Sequence, residues 1–286
     1  MKSTGVFEKE LSATIGLETD VYGSVSDLLD MIDFSTERDT SYLVHDDTLY
    51  SQAMFDADFI TWVYDRSDSE LNSIKHELLQ RIWRAESIGS EEELASVLDR
   101  PDSFSVGKPS PNFVWCTKDF LIFKQNRLSL ISSKSEFGRE LPECFENIFF
   151  DKYVPATLNT LQTEFEDIKG EIIYHLQKLD EFYEKLRSMR SGRGYDSKAM
   201  SQAFFEYSHI KCSRQAGRDG VTLLKRKYIN SETKIEETLV CEMHTKFSTH
   251  NRSGKPDRIY FHPGKAGICE GKIIVIHIGE HTRDGG

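Results

Sequence analysis

Apolar residues recur three or four apart over much of the first hundred positions. Val25, Leu28, Leu29 and Ile32 follow Ser24 at helical spacing, and Leu71, Ile74, Leu78 and Ile82 form a cleaner stripe. Ser90-Glu91-Glu92-Glu93 is a capping-box pattern ahead of Leu94, Val97 and Leu98. Pro101, Pro109 and Pro111 then punctuate a loop, after which Phe113–Thr117, Phe120–Phe123 and Leu128–Ile131 read as short strands and turns. The longest signal runs from Ala156 to Leu186. Leu158, Leu161, Phe165, Ile168, Ile172, Leu176, Leu179, Tyr183 and Leu186 predict one amphipathic helix of about eight turns, with Pro155 suited to its first turn.

Ser188–Gly194 is small, polar and glycine-bearing, and it reads as a domain boundary. Beyond it the period changes. One or two helical turns near Ser197–Ala203 precede five strand candidates: Phe204–Cys212, Val221–Ile229, Thr238–Phe247, Arg258–His262 and Ile273–Ile278. Arg218-Asp219-Gly220 reads as a hairpin turn between the first two. The expected fold class is α+β. A mostly helical domain with a small β element, residues 1–187, is followed by an antiparallel sheet of about five strands in residues 195–286.

Composition sharpens this division. The chain has 286 residues and a net charge of −11. Residues 186–286 carry 18 Lys+Arg against 11 Asp+Glu and six of the nine histidines, whereas residues 1–185 carry 18 against 36. A basic, histidine-rich part suits a phosphate-bearing partner, and the acidic part suits a basic protein partner. No apolar run reaches the ~18 residues of a membrane helix, so no membrane association is expected. Five scattered cysteines and the absence of a signal-peptide pattern predict a reducing, cytoplasmic setting.

The chemistry is concentrated in the last strands. Alternation puts Glu242, His244 and Lys246 on one face of their strand and Met243, Thr245 and Phe247 on the other. It likewise separates Arg258, Tyr260 and His262 from Ile259 and Phe261. On the last strand Ile274, Ile276 and Ile278 form an apolar face, with His277 on the other and Glu280 and His281 beyond. If these strands are neighbours, their polar rows converge. Metal-free RNA cleavage needs such groups: a base for the 2′-hydroxyl, an acid for the leaving 5′-oxygen, and a cation for the phosphorus-borne charge. Half-exposed antiparallel sheets also carry polar outer faces with no function, and that reading stands beside the first. Lys225-Arg226-Lys227 and His262 are candidate contacts to a nucleic-acid backbone.

His244-Thr-Lys246, Arg258-Ile-Tyr-Phe261 and Lys272–His281 resemble the closing strands of the RelE/HigB-type toxins, small basic α+β proteins of toxin–antitoxin systems, many of which cleave mRNA, often on the ribosome. The resemblance implies Arg258 as the phosphate-binding cation, and Lys246 and His244 as charge stabiliser and acid or base. It further implies His281 as the late-strand histidine and Tyr260 as a stacking or acid residue. It implies RNA, with or without the ribosome, as the partner, and neither metal nor organic cofactor. The acidic N-terminal part would then be a neutraliser, a partner-binding module or a defence-system sensor. Two alternatives remain open. One is a non-catalytic interaction protein. The other is a magnesium-dependent nuclease of the PD-(D/E)XK type, whose pattern is met by Pro256-Asp257 and Glu270-Gly-Lys272.

Overall fold

A computed structural model describes residues 2–16, 19–50, 52–54, 57–108, 110–191, 194–215, 222–248 and 256–281. The chain divides into two compact units, 1–127 and 128–286. The Ser188–Gly194 stretch therefore lies inside the second unit, and the Arg218–Gly220 turn lies outside the described residues.

The first unit is built on a four-stranded sheet in the order Glu86–Ile88, Thr40–His45, Ser3–Phe7, Ser103–Val106, with every pairing parallel. Parallel strands joined by helices are covered on both faces, and Ser3–Phe7 is buried at all five positions. On one face Phe7, Phe104 and Val106 pack with Val25, Leu28 and Ile32 of helix Val21–Thr36 and Leu78 and Ile82 of helix Leu71–Trp83. On the other, Val6 and Ile88 meet Leu94 of helix Glu91–Leu98. That helix starts as its capping box predicts, with Ser90 Oγ accepting from the Glu93 amide at 3.1 Å. Gly5 sits where a Cβ would collide with the Tyr42 and Phe104 rings, so only glycine lets the aromatic residues close over the strand. The segment after the proline loop is a helix, Thr117–Leu128, and not strands. Asp119 accepts from the Trp115 and Cys116 amides just before its first turn, and Phe120 and Phe123 enter the core.

The second unit holds a five-stranded sheet in the order Cys212–Arg214, Met243–Lys246, Arg258–His262, Ile273–Gly279, Ile148–Phe150. The first four strands are antiparallel, but Ile148–Phe150 pairs parallel with Ile273–Gly279. The sheet is thus mixed, and its fifth strand comes from a stretch with no alternation to announce it. Four expected elements shift. The expected strand Thr238–Phe247 is two, Glu236–Val240 and Met243–Lys246, and the first pairs with Lys225–Ile229 in a separate two-stranded hairpin, so the expected strand Val221–Ile229 does not join the five-stranded sheet. Residues 204–208 close helix Ser197–Ser208, capped by Asp196, so the edge strand begins only at Cys212. The predicted long helix is broken into shorter pieces, chiefly Phe165–Glu181 and Tyr183–Ser188. Its N-terminal break has a clear cause. The fully buried Asp257 carboxylate accepts from the Gln162 amide (3.1 and 3.2 Å) and the Thr163 amide (3.0 Å), drawing the chain out of helical geometry before Phe165.

Candidate functional site

Helix Phe165–Glu181 covers the apolar face of the five-stranded sheet. His175 Nδ1 lies 3.0 Å from Thr245 Oγ1, and its ring is 4.9 Å from that of Phe247. The opposite face carries His244, Lys246, Arg258, Tyr260 and His262, as the alternation predicts for those two strands, but the expected apolar face of the last strand is split: Ile274 and Ile276 lie with Tyr260, and only Ile278 faces the helix beside Ile259. Register then aligns Ser213, His244, Tyr260 and His277 in one row across four strands. Lys246 and Arg258 are paired in the adjacent row. A bulge between Tyr260 and Phe261 slips the last strand by one residue, and this brings His277 opposite Tyr260.

The row joins hydrogen bonds at its ends through ring contacts at its centre. Ser213 Oγ and His244 Nε2 are 3.0 Å apart. His244 Nδ1 is 3.4 Å from the Glu242 carbonyl, which can only accept, so the proton belongs on Nδ1 and Nε2 is the acceptor facing Ser213. The His244 and Tyr260 ring centroids are 5.0 Å apart and those of Tyr260 and His277 are 5.7 Å apart. Arg258 Nη1 donates at 3.1 Å to both the Tyr260 hydroxyl and Gln215 Oε1. His277 Nε2 ends the row at the Glu280 carbonyl, 2.9 Å away.

Burial corrects the picture of an open catalytic surface. Tyr260 is 0% exposed, His244 2% and Arg258 9%. The reason is the hairpin Lys225–Ile229/Glu236–Val240, whose Leu224, Leu239 and Cys241 form a cluster with Tyr260, Ile274 and Ile276. The hairpin is tied to the sheet by the Tyr228 hydroxyl, which donates to Asp151 at 3.0 Å. Solvent reaches the row from the edge-strand side, where Ser213 and Lys246 are half-buried. Burial sets the charges. It pulls His244 down to about 3, helped by Arg258, and His277 to about 4, so both rings are neutral near pH 7. Lys246 is lowered by burial and then by Arg258. The half-buried His281 lies close enough for its charge to weigh against protonation of His244.

The expected backbone contacts are dispersed. Lys225 is exposed on the hairpin. Arg226 donates to the carbonyls of Leu223 and Lys225, with Nε 3.9 Å from Asp151, and Lys227 is paired with Glu236 at 2.7 Å. His262 is buried in a cavity wall, where Nδ1 accepts from the Gly264 amide at 3.0 Å. That cavity, about 1060 Å³, is bounded by Arg190, Tyr195, Arg214, His262 and the Gly264–Gly267 loop among others. The magnesium-nuclease pattern does not assemble. Asp257 is committed to backbone amides, Glu270 is exposed and paired with Lys272 at 2.8 Å, and no group of three metal-ligating side chains occurs among the described residues.

The first unit has a crevice of its own, of about 200 Å³, at the carboxyl ends of its strands. It lies where strand order reverses between Ser3–Phe7 and Ser103–Val106, the place where parallel sheets open toward ligands. Buried Glu8, its carboxyl raised by desolvation, accepts from Ser105, and Lys9 pairs with Glu91 at 2.5 Å. The 4% exposed His45 ring leaves Nε2 without a hydrogen-bond partner, 3.9 Å from Glu91. The sequence reading passed over these residues because it saw no strands there. The signal was charge following directly on short apolar runs, as in Val6-Phe7-Glu8-Lys9-Glu10 and Leu43-Val44-His45-Asp46-Asp47.

Ser213 and Gln215 were missed for a related reason, because the edge strand was expected to end at Cys212. Comparison with family models, curated proteins and solved structures found no match for this chain.

Proposed function

We propose that the second unit cleaves RNA without a metal ion, at the edge-strand end of the Ser213–His244–Tyr260–His277 row. The observation that carries this reading is the register: His244 stands opposite Tyr260, and Lys246 opposite Arg258, so a neutral base and two cations share one face. The RelE/HigB-type likeness of these strands supports RNA as the substrate class.

The chemistry follows from the network. The 2′-hydroxyl of a bound nucleotide gives its proton through Ser213 Oγ to His244 Nε2, which carries no proton at neutral pH but, with its pKa held to about 3 by burial and Arg258, is a weak base, so this transfer is the demanding step. The 2′-oxygen then bonds to phosphorus, the bond from phosphorus to the 5′-oxygen breaks, and a proton from Lys246 goes to that leaving oxygen. Lowering of Lys246 makes it the readier donor. Arg258 offsets the charge that builds on the phosphoryl oxygens. Tyr260 touches no substrate. It is a positioning residue that receives one Arg258 hydrogen bond and keeps the guanidinium aimed along the face.

The test is to incubate the intact chain with a defined single-stranded RNA in EDTA and identify the product ends by mass spectrometry. The proposed route yields 2′,3′-cyclic phosphate and 5′-hydroxyl ends, and a 2′-deoxy nucleotide at the cleaved position blocks it. Products with 5′-phosphate ends, or cleavage only with added magnesium, would exclude this mechanism.

A further inference from the structure

The register of the five-stranded sheet carries its cations one strand further than cleavage needs. Cys212 stands opposite Thr245, and the Lys246 amide donates to the Lys211 carbonyl at 3.2 Å, so Lys211 lies beside Lys246 as Lys246 lies opposite Arg258. Arg258, Lys246 and Lys211 thus form one row of three cations across neighbouring strands, on the face that holds Ser213 and His244. Like charges side by side across strands cost stability. Among the described residues none of the three has a carboxylate partner: Arg258 is held by the neutral Gln215 and Tyr260, and Lys211 is exposed. Other surface cations of the unit are matched. Arg214 pairs with Glu242 at 2.8 Å, Lys227 with Glu236 at 2.7 Å and Lys178 with Glu181 at 2.6 Å. A row of unmatched cations is the footprint of a chain of negative charges.

Beyond Lys211 the row meets helix Ser197–Ser208, which packs on the edge strand with Ser201 Oγ 3.9 Å from Cys212 Sγ. Residues four apart on a helix share a face, so Phe205 follows Ser201 on the side next to that strand. His209 follows Phe205. It caps the helix in the left-handed conformation, φ 57°, and its amide donates to the Phe205 carbonyl at 2.8 Å. Its ring stands perpendicular to that of Phe205, centroids 6.3 Å apart. Both rings are exposed, Phe205 to 46%, and only Ile210 separates His209 from Lys211. Exposed rings at the end of an unmatched cation row supply the two parts of single-strand recognition, an aromatic face for a base and cations for the phosphates.

We propose that Lys211, Phe205 and His209 form a subsite for the nucleotide next to the cleaved bond. Lys211 holds that nucleotide's phosphate, Phe205 stacks on its base, and His209 braces the Phe205 ring. Neighbouring strands lie about 4.8 Å apart, so the row from Arg258 to Lys211 covers two strand steps, roughly 10 Å, and outruns a single phosphate. The substrate class is then single-stranded RNA, whose unpaired bases are free to leave their neighbours and stack on the protein. The bases of a duplex are not. The position of the cleaved bond rests on the function proposed above, whereas binding at this surface does not require cleavage.

Fluorescence anisotropy of the intact chain decides it, with a labelled, fully 2′-O-methylated single-stranded RNA, which lacks the 2′-hydroxyl and so binds without being cut. Phe205→Ala should weaken binding about tenfold, within the range for loss of one base stack, and leave its salt dependence unchanged. Lys211→Ala should weaken binding and make the slope of log affinity against log salt shallower by about 0.7, the share of one phosphate on a single strand. Lys211→Arg should restore that slope. Both side chains are exposed, so each variant should keep the parent's melting curve by circular dichroism. The same strand annealed to its complement should bind more weakly than the single strand. Cleavage of the unmethylated strand in EDTA is read separately. Binding lost in both variants with no cleavage by the parent chain supports this surface and excludes the cleavage reading. Binding undiminished in either Ala variant overturns the subsite, whatever the cleavage rate. Binding of the duplex or of poly-L-glutamate as tight as that of the single strand also overturns it, the latter marking an acidic protein as the partner.

Discussion

Tyr260 shows how much a single buried hydroxyl organises. It accepts from Arg258 and lies 3.4 Å from Gln215, at the centre of a face closed by the hairpin. Tyr260→Phe leaves Arg258 with one partner fewer beside its unpartnered Nε, so stability should fall by about 1–3 kcal/mol, read from the urea midpoint. An unchanged midpoint would mean that the hydroxyl is dispensable. Asp257 is the second test at this scale. Its substitution by Ala strands two backbone amides and should also cost about 1–3 kcal/mol, with no change in melting on addition of magnesium to the parent chain. Magnesium stabilisation lost in that variant would revive the metal-dependent reading. The residue-level pattern was legible where alternation is strict: the faces of Met243–Lys246 and Arg258–His262 were readable from the residues alone. The position of His277 was not, because a bulge of one residue moves a side chain between rows and leaves no mark in the local pattern.

Elements were legible in proportion to their length and to the locality of their signals. Helix Glu91–Leu98, with its capping box, and helix Leu71–Trp83, with its stripe, fell where expected. The parallel strands of the first unit are three to six residues long, and burial of Ser3–Phe7 and Ser103–Val106 at every position removes the alternation that would reveal those two. Strand Ile148–Phe150 is recognisable only through its partner Ile273–Gly279, more than a hundred residues away. This pairing has a consequence for dissection. A fragment of residues 195–286 lacks both the Ile148–Phe150 edge strand and helix Phe165–Glu181, whose Ile168, Ile172 and Leu176 are fully buried. It should therefore be unfolded by circular dichroism and proteolysis, whereas residues 128–286 should fold. A cooperative thermal transition in the shorter fragment would contradict the unit boundary.

At the scale of the whole molecule, charge is divided differently from the sequence halves. Residues 1–127 hold 12 Lys+Arg against 24 Asp+Glu, and residues 128–286 hold 24 against 23. The basic last third is therefore nearly balanced within its own unit, so under the proposed function contact with the cleaved phosphate falls to Lys246 and Arg258. Buried histidines dominate the expected response to acid. Burial lowers His244 to about 3 and His175, His262 and His277 to about 4, whereas the unfolded chain binds these protons near pH 6.5. Acidification below about 6.5 thus loads the unfolded state first, and stability falls by up to about 1.4 kcal/mol per histidine per pH unit. Asp180, raised to about 6 by burial, acts oppositely: its share is lost as pH rises from 3.8 through 6. Four groups outweigh one, so the melting temperature should drop between pH 6.5 and 4.5. A flat or rising profile would show that these rings are hydrated in solution.

Metal-free RNA cleavage by the paired rows of the five-stranded sheet remains the proposed function. Its most direct test is the cleavage rate of a single-stranded RNA by the intact chain in EDTA, compared with Lys246→Ala. Lys246 is half-buried at the edge-strand side of the sheet, so the variant should keep its fold, checked by circular dichroism. The parent chain is expected to cleave, and the folded variant to be slower by about 100-fold or more. No cleavage by the parent chain, or an equal rate from Lys246→Ala, would contradict it.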